Sequence, residues 1–260
     1  MMTSSELLRV ALEQSALELG VSPEDFLKSE PITVLSERVE GARRYLTLPF
    51  SCQIVSYGSN AVASVSPELR ALTEKYIKRY PTEHLFETPN LQVLNDALTE
   101  HGQRICFMAE YFLPDVDCVT KPLPAVPGIE VRRMTQPDFA DLYRPEWSNA
   151  LCEARRQLDV LGFGAYDAGR LVGLAACSAD CDTMWQIGID VLPAYRRRGI
   201  ASYLTRRLAR EILAHGRVPF YCAAWSNLPS VRNAIRAGFR PAWVEMTAKP
   251  LSTLRAMNGE

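Results

Sequence analysis

Three consecutive arginines, Arg196, Arg197 and Arg198, stand directly before Gly199 and before a segment, residues 200–215, with helical apolar spacing. The apolar run 184–191 upstream reads as a strand, so the arginines occupy a strand-to-helix turn. At such a turn the backbone N–H groups of the bend and of the first helical turn have no partner, and the helix dipole adds positive potential. That combination binds phosphate. Gly199 permits close backbone approach, and Ala201 keeps the helix start narrow. A solvated surface is one competing reading and a nucleic-acid patch the other. Solvated charge runs usually alternate in sign, whereas this helix carries Arg206, Arg207 and Arg210 against the single acid Glu211. Nucleic-acid domains usually show a broader basic stripe with interleaved aromatics, which is not seen here. The pattern therefore favours the phosphate of a cofactor.

Other candidate chemistry lies close by in the sequence. Asn227 begins Asn227-Leu228-Pro229-Ser230, where Asn suits a helix N-cap and Pro a first turn. Asp190 is a carboxylate inside an apolar strand, a candidate base, although an ion pair with a neighbouring arginine is the favoured reading; Asp182 is a second candidate base. Cys177 and Cys181, with Asp182 next door, lack the second pair or clustered histidines that would complete a metal shell, so no metal is expected. Trp185 and Trp225 read as core residues.

These residues need elements to hold them. Helical patterns are expected over about 4–19, 67–79, 91–101, 135–144, 200–215 and 228–237, the last stopping at Gly238 as a left-handed cap. Strands are expected at 104–112, 128–134, 184–191, 218–225 and 240–248, with hairpins turning at Tyr57-Gly58-Ser59-Asn60 and at Asp167-Ala168-Gly169. An antiparallel hairpin leading into two strand–helix units describes a mixed α/β sheet flanked by helices.

The 260 residues carry a net charge of −1, but unevenly: residues 1–120 have 10 Lys+Arg against 17 Asp+Glu, and residues 121–260 have 19 against 13. Two units are expected, a mixed α+β domain at 1–118 and a domain at 129–260, joined by the proline-rich linker 119–128. The seven scattered cysteines suit a reducing compartment. With no secretory-type N-terminus and no apolar run of about 20 residues, the chain reads as cytoplasmic and not bound to membrane.

The spacing R-x-x-G-x-A at Arg196, Gly199 and Ala201 resembles the acetyl-coenzyme A pyrophosphate loop, R/Q-x-x-G-x-G/A, of the GCN5-related N-acetyltransferases (GNAT). Asn227 and Ser230, followed after seven residues by Gly238-Phe239, are similar to the second signature of that superfamily. The resemblance covers about 128–248 and implies a GNAT-like C-terminal fold with an additional N-terminal α+β domain. It implies that acetyl-CoA is held by backbone N–H groups at Ile189 and Val191, by the turn Arg196, Arg197, Arg198, Gly199, Ile200, Ala201 and Ser202, and by Asn227. It also implies acetyl transfer from the thioester to a primary amine attacking directly in a ternary complex.

The sequence departs from the family at two places. Ala234 stands where many members carry a tyrosine acid, leaving Ser230 as the candidate acid; Trp185 stands where some carry a glutamate base, leaving Asp190. An acyl-CoA-binding protein without transferase activity, and more remotely a nucleic-acid-binding regulator, remain as alternatives. After residue 248 too little chain remains for a closing hairpin, so the N-terminal half, or a second subunit in a homodimer, is expected to cover the sheet edge. The acceptor amine is not legible in the sequence.

Overall fold

The computed structural model describes residues 2–122 and 124–260; Leu123, within the expected linker, lies outside them. Its elements are α1 (Ser4–Leu19), β1 (Ile32–Leu35), β2 (Cys52–Ser56), β3 (Val62–Val65), α2 (Arg70–Arg79), α3 (Asn90–Thr99) and β4 (Gln103–Pro114). There follow α4 (Val116–Val119), β5 (Glu130–Thr135), β6 (Asp159–Asp167), β7 (Arg170–Ser178), β8 (Met184–Val191), α5 (Ile200–Ala214), β9 (Val218–Ala223), α6 (Leu228–Ala237), β10 (Phe239–Pro250) and α7 (Leu251–Asn258). The mixed α/β class expected from the sequence is the one observed.

The chain forms two compact units that do not follow the division expected at 118 and 129. One joins the N-terminal residues through Val10 to Phe112–Pro241, and the other joins Ala11–Tyr111 to Ala242–Glu260. The boundaries fall inside α1, β4 and β10, because tertiary packing groups residues without regard to where prolines interrupt the chain.

In the unit built on Ala11–Tyr111 the strand order is β1-β3-β2-β10-β4, with β1 parallel to β3 and β2 antiparallel to both β3 and β10. Every residue of β2 and β3 is buried, as in strands covered on both faces. Ile54, Ile77, Leu94, Leu98 and Met246 form its core. Beside it lies a buried ionic cluster. The Arg43 guanidinium donates to Glu18 at 2.6 Å and to Glu245 at 2.8 Å, and Trp243 Nε1 donates to Glu245 at 2.7 Å. Removing Arg43 would strand two buried carboxylates, so the cluster fixes how α1, the 43 loop and β10 meet.

In the unit built on Phe112–Pro241 the strand order is β9-β8-β7-β6-β5. β5 to β8 are antiparallel neighbours and β8 is parallel to β9. The β6–β7 hairpin turns on Ala168 and Gly169, both at positive φ, as a two-residue primed turn requires. Gly173 on β7 shows where α5 packs: a Cβ there would lie 2.9 Å from Ile200 Cγ2. On the opposite face Met134, Phe139, Trp147 and Leu151 pack on Leu174 and Ala176.

Residues 135–144, expected as a helix, make only the 3₁₀ turn Gln136–Phe139, although its Thr135/Asp138 capping box forms. A second 3₁₀ turn, Pro145–Trp147, follows an extended Arg144, the residue whose helical region the proline disfavours. The edge beyond β9 is taken by the same chain. Phe112, in the last residues of β4, meets Tyr221 of β9 edge-on at 6.3 Å, and the Asp115 N–H donates to the Gly238 carbonyl at 2.9 Å. Gly238 is the expected left-handed cap, at φ 96°, and a Cβ there would press on Cys118 at 3.0 Å.

Candidate functional site

β8 and β9 run parallel only from Met184↔Val218 to Gln186↔Phe220 and then part. The Thr183 carbonyl accepts from the Val218 N–H, so by the period of two the odd-numbered residues of β8 turn their backbone polar groups toward β9. Ile189 and Val191 therefore present their N–H groups to the gap where the strands separate. Val191 pairs with Gly173, the residue that touches Ile200 of α5, so the side chains of Ile189 and Val191 lie on the α5 face. Gly188 and Asp190 face the other way.

The gap leads into the arginine turn. A short 3₁₀ turn, Pro193–Tyr195, precedes it, and Arg196 Nε donates to the Val191 carbonyl at 3.0 Å. Arg197 sits at φ 62° and Gly199 at φ 82°, a bend that only two left-handed residues can make. Among the described residues no backbone N–H from Arg197 to Ser202 donates to another backbone carbonyl; pairing resumes at Tyr203, which donates to the Gly199 carbonyl at 3.1 Å. Successive N–H groups pointing out of a concave bend at a helix N-terminus form an anion cradle. A Cβ built on Gly199 meets nothing within 4 Å, so the space above it is open. The three arginines are exposed; Arg198 lies 5.4 Å from the Tyr195 ring centroid. Ile200 is buried, and the Ser202 hydroxyl donates to the Gly199 carbonyl at 3.1 Å.

Across the gap, Asn227 caps α6, its side-chain oxygen accepting from the Ser230 N–H at 3.3 Å. Ser230 Oγ lies 2.7 Å from the Tyr221 hydroxyl. Among the described residues Asp190 makes no ion pair with an arginine, contrary to the favoured sequence reading. Its carboxylate accepts from the Asn149 N–H at 2.9 Å, the Asn149 side chain at 2.7 Å and the Ala150 N–H at 2.9 Å. It latches a strap of chain onto β8 and gives three of its lone-pair sites to that work. Asp182 is exposed and Trp225 is 39% exposed, so the latter is not the core residue it was read as. Trp185 is half-buried, its ring centroid 6.0 Å from that of His215.

The family model for the acetyltransferase (GNAT) family matches residues 129–239. This segment is a GNAT domain. Solved structures similar to the chain include a GCN5-related N-acetyltransferase-like protein from Streptococcus suis, at 21% identity over 62% of this chain and 69% of that one, TM-score 0.47. They also include GCN5-related N-acetyltransferases from Kribbella flavida (19% identity, 62% and 64% covered, TM-score 0.43) and Sphaerobacter thermophilus (16%, 74% and 72%, 0.47). No curated protein matches the sequence.

The GNAT domain holds its strap at a second point. Asp159, at the start of β6, accepts from the Cys152 N–H at 3.0 Å and is 1% exposed. Burial raises its pKa to about 6, against the hydrogen bonds from Cys152 and Tyr143 and the charge of Arg155, with Asp180 nearby pushing the same way as burial. An unfolded chain ionises this group near 3.8. Between those values the unfolded state binds fewer protons than the folded one, so stability falls as pH rises from about 4 to 6. We expect Asp159→Asn to flatten this dependence. Melting temperature measured across pH 4–7 checks it; an unchanged slope in the variant refutes the assignment.

Sequence reasoning did not find Tyr221, Gly188 or the strap. Tyr221 and Gly188 read as ordinary strand residues, and the strap lies some 40 positions from its latch, a pairing for which one sequence holds no signal. All seven cysteines are free thiols, and among the described residues no group of three His, Cys, Asp or Glu side chains converges. No helix there is long and apolar enough to cross a membrane.

Proposed function

We propose that the GNAT domain is an acetyl-CoA-dependent N-acetyltransferase acting by direct attack of a primary amine. The observation that carries this reading is the parting of β8 from β9 beside a turn whose N–H groups lack partners. The donor set fits the group. The N–H groups of Arg197 to Ser202, with the guanidinium groups of Arg196, Arg197 and Arg198, would hold a diphosphate, and the open space over Gly199 admits it. Ile189 and Val191 would donate to the thioester carbonyl and the pantetheine arm, a pre-aimed stabilisation of the charge that develops on oxygen. Asn227, already a cap, keeps an amide nitrogen for the arm. Bound acetyl-CoA supplies the activated acyl group. Ser230 would protonate the departing thiolate, and Asp190 would act by positioning the strap rather than as a base.

Holding amine and thioester together supplies roughly 7–11 kcal/mol, whereas a single acid or base gives about 10²- to 10⁴-fold. Ala234 and Trp185, at the places of the family's acid and base, therefore leave most of the rate advantage intact. The same two residues also favour a second reading, an acyl-CoA-binding domain without turnover. Calorimetric titration with acetyl-CoA, followed by release of free CoA against a panel of amines, tests both. Acetylated product supports the transferase, tight binding without product supports the second reading, and absence of binding ends both.

A further inference from the structure

We propose that Tyr221 is a positioning residue for Ser230, donating its phenolic proton to the serine oxygen so that the serine proton is turned toward the departing sulfur. This rests on the transferase reading above. The two oxygens are 2.7 Å apart, a strong hydrogen bond with either group able to donate. The surroundings decide the direction. Tyr221 is buried at 3% exposed, and among the described residues Ser230 Oγ is its phenol's one hydrogen-bond partner; the nearby Asn233 amide nitrogen is engaged by Thr205 Oγ1 at 3.0 Å. A buried hydroxyl hydrogen needs an acceptor, so the phenol gives its hydrogen to Ser230 Oγ, whereas half-buried Ser230 has solvent for its own. Ser230 is left with its hydrogen free to point elsewhere.

The tyrosine is suited to this role because it keeps its proton. It is 3% exposed, and burial raises its pKa, with the charges of Cys222 and Asp190 adding to the rise. Its ring is fixed by Phe112 at 6.3 Å and Phe239 at 6.2 Å. Phe220 pairs with Gln186, so Tyr221 projects to the opposite face from Gln186 and Asp190. That is the face of α5 and of the unpaired turn. Ser230, half-buried in the first turn of α6, is the member of the pair that reaches solvent. In the transfer step Ser230 gives its hydroxyl proton to the sulfur, which keeps the electron pair of the broken C–S bond. The proton shed by the amine nitrogen returns through water to the serine oxygen, so nothing else is consumed.

An equilibrium measurement tests the arrangement without knowledge of the acceptor. Coenzyme A bound to the full chain is titrated, following thiolate absorbance. A serine proton aimed at sulfur lowers the bound thiol's pKa, by about one unit for one hydrogen bond to a charged group. Ser230→Ala is expected to abolish this shift, Tyr221→Phe to remove most of it, and the double variant to go no further than Ser230→Ala. Replacement of tyrosine by 3-fluorotyrosine, a stronger donor, is expected to deepen it and serves if Tyr221→Phe melts early. A wild-type shift in Tyr221→Phe, or no response to fluorination, overturns the role of Tyr221 while leaving the transferase reading in place. Failure of the wild-type protein to bind coenzyme A overturns that reading itself.

Discussion

Gly199→Val is expected to weaken acetyl-CoA binding by at least about 100-fold, or about 2.7 kcal/mol, while barely moving the melting temperature. Gly199 holds φ 82° between a strand and the first turn of α5. A β-branched residue is a strong outlier there, costing about 1–2 kcal/mol if it keeps the conformation, so the bend relaxes and its N–H groups swing away. No protein atom lies within 4 Å of the new Cβ, so the fold itself suffers no clash. The same open space is where a diphosphate would approach, and the side chain would fill it. Calorimetric titration with acetyl-CoA beside a thermal melt separates the two effects. Unchanged affinity would move the cofactor site elsewhere.

Gly188→Ala is expected to do the reverse. A Cβ at this position would lie 1.9 Å from the Asn149 carbonyl oxygen, 2.9 Å from its carbon and 3.0 Å from the Ala150 Cα. All three are backbone atoms, so the strap must lift as a piece. Lifting it breaks the three hydrogen bonds to Asp190, two of them from backbone N–H groups left unsatisfied, and loosens Trp147 and Leu151 from Leu174 and Ala176. A cost of about 3–5 kcal/mol follows, which in a chain of this size lowers the melting temperature by on the order of 10 °C. Acetyl-CoA binding, proposed here for the α5 face, is expected to persist. Differential scanning calorimetry reads the first effect, and a melt within about 2 °C of wild type would show that the strap is not held in this way.

The two glycines illustrate how unevenly the sequence exposes its own logic. Gly199 is legible because everything that gives it meaning is adjacent: an apolar strand before it, arginines beside it and helical spacing after it. The caps at Asn227 and Gly238 are legible for the same reason. Gly188 looks like any small residue in a strand, because what it touches comes from residues 149 and 150. Asp190 was readable as a carboxylate in an apolar strand, but whether it met an arginine, water or backbone N–H groups depends on which loop packs over β8. The 135–144 segment carries a good capping box and still makes only a 3₁₀ turn, its Phe139 packed with Trp147 and Leu151 against Leu174 and Ala176.

The sequence by itself determined the mixed α/β class, the strand–turn–helix cradle and the second signature, since each is written in neighbouring residues whose φ preferences and apolar spacing act locally. Only the tertiary structure decided that the units divide inside α1, β4 and β10, that Phe112 closes the edge beside β9, and that Tyr221 meets Ser230 while Asp190 grips the strap. Those contacts join residues far apart in the chain, and their partners are chosen by which surfaces the whole fold buries together, a quantity that no local window of residues contains.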